Sequence, residues 1–243
     1  MSATLPYARI DTLFVDVGHT LVSPDFGWMA RELAARGVAC DARDLARADV
    51  ELRVSEWAQR TPPVSSERAR EIYLEGVFAR LPDLARPAPP LRSVLSRELV
   101  PVLYPGGLGD RLWCQVIPGV REALARMTRL GLRMVIVSNA DGSVERQLTD
   151  LALRSHFACV IDSHVVGVSK PDPAIFEISL ARSGAERTRT LHVGDSYAAD
   201  VLGARGAGIH PVLLDPHGHG TSLDCDALPD LLALAESLER ATR

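Results

Sequence analysis

Lysine is almost missing from this sequence. Lys170 is the only one, and every other member of the 27 lysine and arginine side chains is an arginine. Chemistry that needs a primary amine on a side chain therefore has one place to occur. The glycine-rich stretch "PGGLGD" (105–110) lacks the lysine and the serine or threonine of a phosphate-cradling P-loop, and reads as a flexible return loop. The basic side chains form no stripe, and 31 acidic residues outweigh them to a net charge of −4, which argues against a nucleic-acid partner. Cysteine is scarce as well. Cys40, Cys114, Cys159 and Cys225 include no CxxC pair, which argues against structural zinc and a disulfide framework and fits reduced thiols in the cytoplasm. No apolar run reaches membrane-spanning length, and "MSATLPYARIDTLFVDV" has no basic region followed by a long apolar one. A soluble, cytoplasmic protein with no membrane partner is expected. There is no internal repeat.

What is present is a core-forming chain, 47% hydrophobic. Five short apolar runs read as strands: "TLFVDV" (12–17), "RMVIVSN" (133–139), "FACVID" (157–162), "RTLHVGD" (189–195) and "HPVLLD" (210–215). Between and after them, helices are expected at 119–132, 141–153, 173–184, 196–208 and 228–241, several opened by proline and closed by glycine. Strands alternating with helices predict an α/β fold, a Rossmann-like parallel sheet with helices on both faces. The alternation breaks after the first strand. About ninety residues follow that read as helices, joined at the proline-rich stretches 61–66 and 86–90. The division expected is a core of 1–22 and 113–243 with a helical insertion at 23–112.

Ligands of open parallel sheets bind outside the carboxyl ends of the strands. The residues that end these strands are Asp16, then Ser138 with Asn139, then Asp195, with Asp200 in the helix that follows; Lys170 lies beyond the third strand. Carboxylates converging without partners raise one another's pKa, and a hard cation such as Mg²⁺ relieves the repulsion. A lysine and a hydroxyl are then left to hold an anion. This set suits phosphoryl transfer, which depends on positioning and charge neutralisation, with Asp16 as the attacking carboxylate.

Four ordered stretches resemble the motifs of the haloacid dehalogenase-like (HAD) hydrolase superfamily. "FVDVGHTL" resembles the first, with Asp16 as nucleophile and Thr20 at the threonine; "VIVSN" the second, with Ser138 at the phosphate; "GVSKPDPAIF" the third, with Lys170; and "HVGDSYAADVLGARGAG" the fourth, GDxxxxD, with Asp195 and Asp200. The resemblance implies a Rossmann-like core, an inserted helical cap over residues 23–112, and Mg²⁺ held by Asp16, the Gly18 carbonyl, Asp195 and Asp200. It implies that Ser138, Asn139, Lys170 and His19 face a small phosphorylated metabolite. Asn139 and Thr20 would orient the neighbourhood, and Asp200 would support the metal or Lys170.

One position departs from the pattern. The family's phosphatases usually carry a second aspartate two residues after the nucleophile, as general acid and base. Here that residue is Gly18. Members with a D-h-G-N-[VT] first motif look like sugar-phosphate phosphatases, so hydrolysis of a small phosphate monoester remains the first expectation. A carbon–halogen hydrolase is an alternative, but those enzymes lack the GD of the fourth motif, which this chain keeps. A catalytically weakened binding protein is the other. A glycine here has a conformational explanation too, an unusual backbone angle. No signal of oligomeric state is legible.

Overall fold

The computed structural model describes residues 7–59, 66–85, 89–107, 111–219 and 223–242. Most of both proline-rich joints and half of the 105–110 loop lie outside the described residues. The chain divides into two compact units, residues 1–23 with 116–243, and residues 24–115.

The first unit is built on strands β1 (Thr12–Val15), β2 (Val22–Ser23), β3 (Gln115–Val116), β4 (Arg133–Ser138), β5 (Cys159–Asp162), β6 (Thr190–Gly194), β7 (His210–Leu214) and β8 (Asp226–Leu228). Six of them form one sheet in the order β5-β4-β1-β6-β7-β8, while β2 and β3 make a separate two-stranded ribbon. Every pairing in the large sheet is parallel. All residues of β1 and β6 are buried, as are the last five of β4. Such near-continuous apolar runs belong to parallel strands covered on both faces. The chain leaves β1 to build β4 and β5 on one side, then crosses to build β6, β7 and β8 on the other. The order therefore reverses beside β1, the point where ligands of open parallel sheets sit.

Among the described residues, the second unit holds five α-helices, α1 (Phe26–Ala34), α2 (Ala42–Gln59), α3 (Ser66–Phe78), α4 (Pro82–Ala85) and α5 (Pro89–Leu103). They bury a core of their own, including Met29, Leu33, Leu45, Leu74, Phe78 and Leu99. Asp25 opens α1 by accepting the Trp28 N–H at 2.8 Å. Asp49 is buried, and its two oxygens accept from Tyr73 Oη at 2.8 Å and Arg53 Nε at 3.2 Å, so its charge is satisfied. Residues 113 and 114 group with these helices, and the division from the first unit falls within β3, between Gln115 and Val116. Leu112 packs in their core, its carbonyl accepts the Asp25 N–H at 2.7 Å, and Trp113 lies 5.9 Å from the Tyr73 ring.

Around the sheet run α6 (Val120–Arg129), α7 (Val144–Asp150), α8 (Ser163–Val166), α9 (Pro173–Ser183), α10 (Gly203–Gly206) and α11 (Leu231–Ala241). Helix α9 begins with Pro173 behind an Asp172 cap and stops at left-handed Gly184. Its Ile175 and Phe176 pack with Phe14, Val135, Val137 and Ile161 of the strands. Helices α6 and α11 pack together. A two-pronged bond from Arg126 to Glu239, at 2.8 and 2.6 Å, ties them across their polar edge.

Two elements differ from the sequence expectation. The helix expected at 228–241 starts later, at Leu231, and Asp226–Leu228 instead adds the sixth strand, paired with β7. The helix expected at 196–208 begins as a π-helix over Tyr197–Leu202 before tightening into α10. The Asp200 and Val201 N–H groups both donate to the Ser196 carbonyl, at 2.8 and 3.3 Å, and the second of these is the wide i→i+5 bond.

Candidate active site

Strand β1 delivers Asp16 to the carboxyl edge of the sheet. Val15 is in register with Ile136 and Val193, and the Asp16 N–H continues the pairing to the Val193 carbonyl at 3.0 Å. The loop beyond is tight: the Val17 carbonyl accepts from Leu21 at 2.9 Å and Val22 at 3.1 Å, while the His19 N–H donates to Val22 at 2.7 Å. The left-handed residue of this loop is His19, with φ 50°, and not Gly18. The backbone therefore does not require glycine at 18. A non-glycine residue in that region is strained by about 1–2 kcal/mol.

Lys170 is the hub of the site. Its ammonium donates to Asp16 Oδ1 at 2.7 Å and to Asp200 Oδ1 at 2.6 Å, and the side chain is only 2% exposed. Burial alone would lower its pKa, but the two carboxylates more than offset that and hold it well above the ordinary lysine value. Asp200 is also opposed by burial. Lys170 and His192 overcome this and keep its carboxyl well below the usual carboxylate range. Its Oδ2 accepts the Ser196 N–H at 2.9 Å, an additional donor. Asp16 is pushed upward by burial, an effect that Lys170 counters only in part and the Asp200 charge reinforces.

Gly194 makes the close approach of Asp200 possible. A Cβ at that position would sit 2.2 Å from the Asp200 Cγ, so the carboxylate rests directly on the glycine backbone. The π-turn carries Asp200 to this point. Oxygen atoms of Asp16, Asp195 and Asp200 lie within 4.8 Å of one another. Three formal negative charges thus face one ammonium, and the deficit is that of one divalent cation. All the donors are oxygens, the ligands that Mg²⁺ prefers.

Ser138 ends β4, buried beside β1. Asn139, the chain's only asparagine, turns both ends of its amide to the main chain of Lys170: Oδ1 accepts the Lys170 N–H at 2.7 Å and Nδ2 donates to its carbonyl at 2.8 Å. Thr20 is 1% exposed, and its hydroxyl has no hydrogen-bond partner among the described residues. A buried hydroxyl normally has one, which suits a site that receives an oxygen-rich ligand. His217 and His219, whose rings lie 5.9 Å apart, are both exposed. In the helical unit, Arg36 pairs with Glu32 and Arg53 with Asp49, and Arg111 lies over the Trp28 ring.

A family model described as haloacid dehalogenase-like hydrolase matches residues 10–208. The chain belongs to the HAD-like hydrolase family. Haloacid dehalogenase-like hydrolase domain-containing protein 3 of Mus musculus is 42% identical over 100 residues, 41% of this chain and 40% of that protein. Phosphoserine phosphatase of Thermus thermophilus is 35% identical over 121 residues, 49% and 47% of the two chains. The chain spans about half the length of the curated relatives it matches. Among solved structures, the magnesium-bound HAD-hydrolase YfnB of Bacillus subtilis has the same fold, with a TM-score of 0.65 at 18% identity, covering 95% of this chain and 99% of that one. No helix among the described residues is long and apolar enough to cross a membrane.

Three residues that support the candidate site were missed by sequence reasoning. Asp162, at the end of β5, accepts the Gly142 N–H at 3.0 Å and the His164 N–H at 2.9 Å, and Ser163 Oγ accepts the Ala140 N–H at 3.0 Å. Together they clamp the loop that follows Ser138 and Asn139. Asp162 could have been found by the rule that located Asp16, since it too is an acid ending a buried strand. The third is His192, whose signal was a polar residue in the middle of an apolar strand.

Proposed function

We propose that this protein is a cytoplasmic, Mg²⁺-dependent phosphatase that hydrolyses a small phosphate monoester through a phosphorylated Asp16. The observation that carries the reading is the buried Lys170 ammonium bridging Asp16 and Asp200, with Asp195 in the same carboxylate cluster. An attacking carboxylate and a fixed cation for the anion under attack are thereby brought side by side. The four free thiols fit a reducing compartment.

In this reading one Asp16 oxygen attacks phosphorus in line, and the P–O bond to the leaving alcohol breaks. Water then attacks the same phosphorus, inorganic phosphate departs, and the carboxylate is restored. Lys170 and Ser138 hold the phosphoryl oxygens, and the Thr20 hydroxyl orients the loop of the first motif. Asn139 holds Lys170 by its main chain, and His19 lies on the substrate side. Asp16, Asp195 and the Gly18 carbonyl would hold Mg²⁺, supported by Asp200. Bound there, the ion neutralises charge on the phosphoryl group and on the carboxylate approaching it. Residues 24–115 are assigned as the cap that excludes water from a small phosphorylated metabolite.

Gly18 supplies no proton. General acid–base help is typically worth about 10²–10⁴ in rate, so this site favours esters whose alcohol leaves easily or draws a proton from the substrate or solvent. The test is a phosphate-release screen over a panel of metabolite esters, with and without Mg²⁺. Release that requires Mg²⁺ and vanishes in Asp16→Asn is expected. Halide release from a haloacid with no phosphate release from any ester would replace this reading with the dehalogenase alternative.

A further inference from the structure

Strand β6 carries a side chain that the reaction above does not use. His192 is the third residue of β6, in register with Phe14 on one side and Pro211 on the other, and is 0% exposed. Its ring meets Phe176 edge-on, with centroids 5.0 Å apart. A buried imidazole in a central parallel strand displaces an aliphatic side chain and must find a polar partner to be tolerated. It has one: Nε2 lies 2.8 Å from Asp200 Oδ1. Nδ1 has no partner among the described residues. That asymmetry decides the tautomer. A carboxylate only accepts, and a buried N–H without an acceptor is less favourable than a lone pair without a donor. The proton therefore sits on Nε2 and is donated to Asp200.

The oxygen that receives it is the one that also accepts from Lys170. A continuous buried line then runs from His192 through Asp200 and Lys170 to Asp16. The Asp200 carboxylate is held from β6 by His192, from the turn after β6 by Ser196, and from beyond β5 by Lys170. Among these three, only the imidazole comes from a central strand of the sheet.

We propose that His192 is a positioning residue: its Nε2–H fixes the orientation of the Asp200 carboxylate and thereby sets where Asp200 holds the Lys170 ammonium against Asp16. It does not touch the substrate. The inference rests on the reading of Asp16 and Lys170 as the attacking and anion-holding groups. Partners that orient a site's carboxylates typically change activity by about 10–100-fold when removed.

Three variants test it. His192→Gln keeps an N–H donor at the reach of Nε2, His192→Asn offers one too short, and His192→Leu fills the space against Phe176 with none. The expected result is a kcat loss of about 10–100-fold in Leu and Asn, with KM changed much less, and recovery in Gln. A packing role alone predicts the opposite order, with Leu the best tolerated. Because Lys170 is the only lysine, protein grown on lysine labelled with ¹⁵N at Nζ gives a single side-chain ammonium resonance, which needs no substrate. That resonance should stay near its wild-type position in Gln and move in Leu and Asn. If Leu does not fold, the Gln and Asn pair decides. Equal kcat in folded Gln and Asn variants, or an unmoved resonance in Asn, would overturn the proposal. Should wild-type protein release no phosphate from any ester, the phosphatase reading fails by itself, and the resonance still decides the positioning role.

Discussion

Lys170 and the two carboxylates it joins pull stability in different directions with pH. Asp200, held below its ordinary value, contributes stability that is fully present above about pH 4 and is lost as pH falls through its lowered folded pKa. Lys170, held above its ordinary value, contributes stability that is fully present below about pH 10.4 and is lost as pH rises through its raised folded pKa. Asp16 works the other way. Its pKa is raised by burial, so ionising it above about pH 4 opposes folding. Asp16→Asn should therefore raise the melting temperature at pH 7 in chelator, by about 2–4 °C for each kcal/mol relieved. Mg²⁺ should then stabilise wild type more than the variant. A melt in which Asp16→Asn is less stable than wild type in chelator would show that the Lys170 bond outweighs the buried charge. His19 stores strain of another kind, in its backbone. His19→Gly should stabilise by roughly 1 kcal/mol after the greater freedom of the unfolded glycine is subtracted, and should raise KM because the imidazole is gone. A lower melting temperature would mean that the imidazole's contacts in the fold exceed the strain it bears.

The turn between β6 and α10 depends on a bare glycine backbone. Gly194→Ala would force a methyl into the Asp200 carboxylate. Overpacking of this kind typically destabilises by about 1–3 kcal/mol, and it should also abolish turnover in protein that still folds, as judged by circular dichroism. An active, stable Gly194→Ala would mean that the π-turn can yield. This turn also marks where sequence reading stopped. Buried strands announced themselves by unbroken apolar runs, so β1, β4, β5, β6 and β7 were legible, and with them the strand-end positions of the candidates Asp16, Ser138 and Asp195. "SYAADVLGARG" has ordinary helical composition; its wide first turn comes from the Ser196 carbonyl accepting two N–H groups and from Asp200 being drawn to Lys170, 30 positions away in sequence. Asp226–Leu228 has three residues, no alternation and no β-branched side chain, so only its pairing with β7 identifies it as a strand. Asn139 was legible as a candidate, but its grip on the Lys170 main chain was not, because it spans 31 positions.

Among the described residues, one apolar cluster lies among the helices of residues 24–115 and another packs against the sheet. Damage to the first should leave the carboxylate cluster intact. Leu74 is wholly buried among the helices, and Leu74→Ala should destabilise by about 2–5 kcal/mol. Mg²⁺ affinity measured by calorimetry should stay at the wild-type value, and a parallel loss would show that the helical cluster and the carboxylate cluster are coupled. The buried Lys170 has a consequence for the whole surface as well. Every exposed side-chain cation among the described residues is a guanidinium or an imidazole, and none is an amine. An acylating ester added at neutral pH would find no lysine to modify on the folded molecule. It could reach Lys170 only when the sheet edge opens, so the rate of acylation there, read by mass spectrometry of one peptide, times the opening of the site itself.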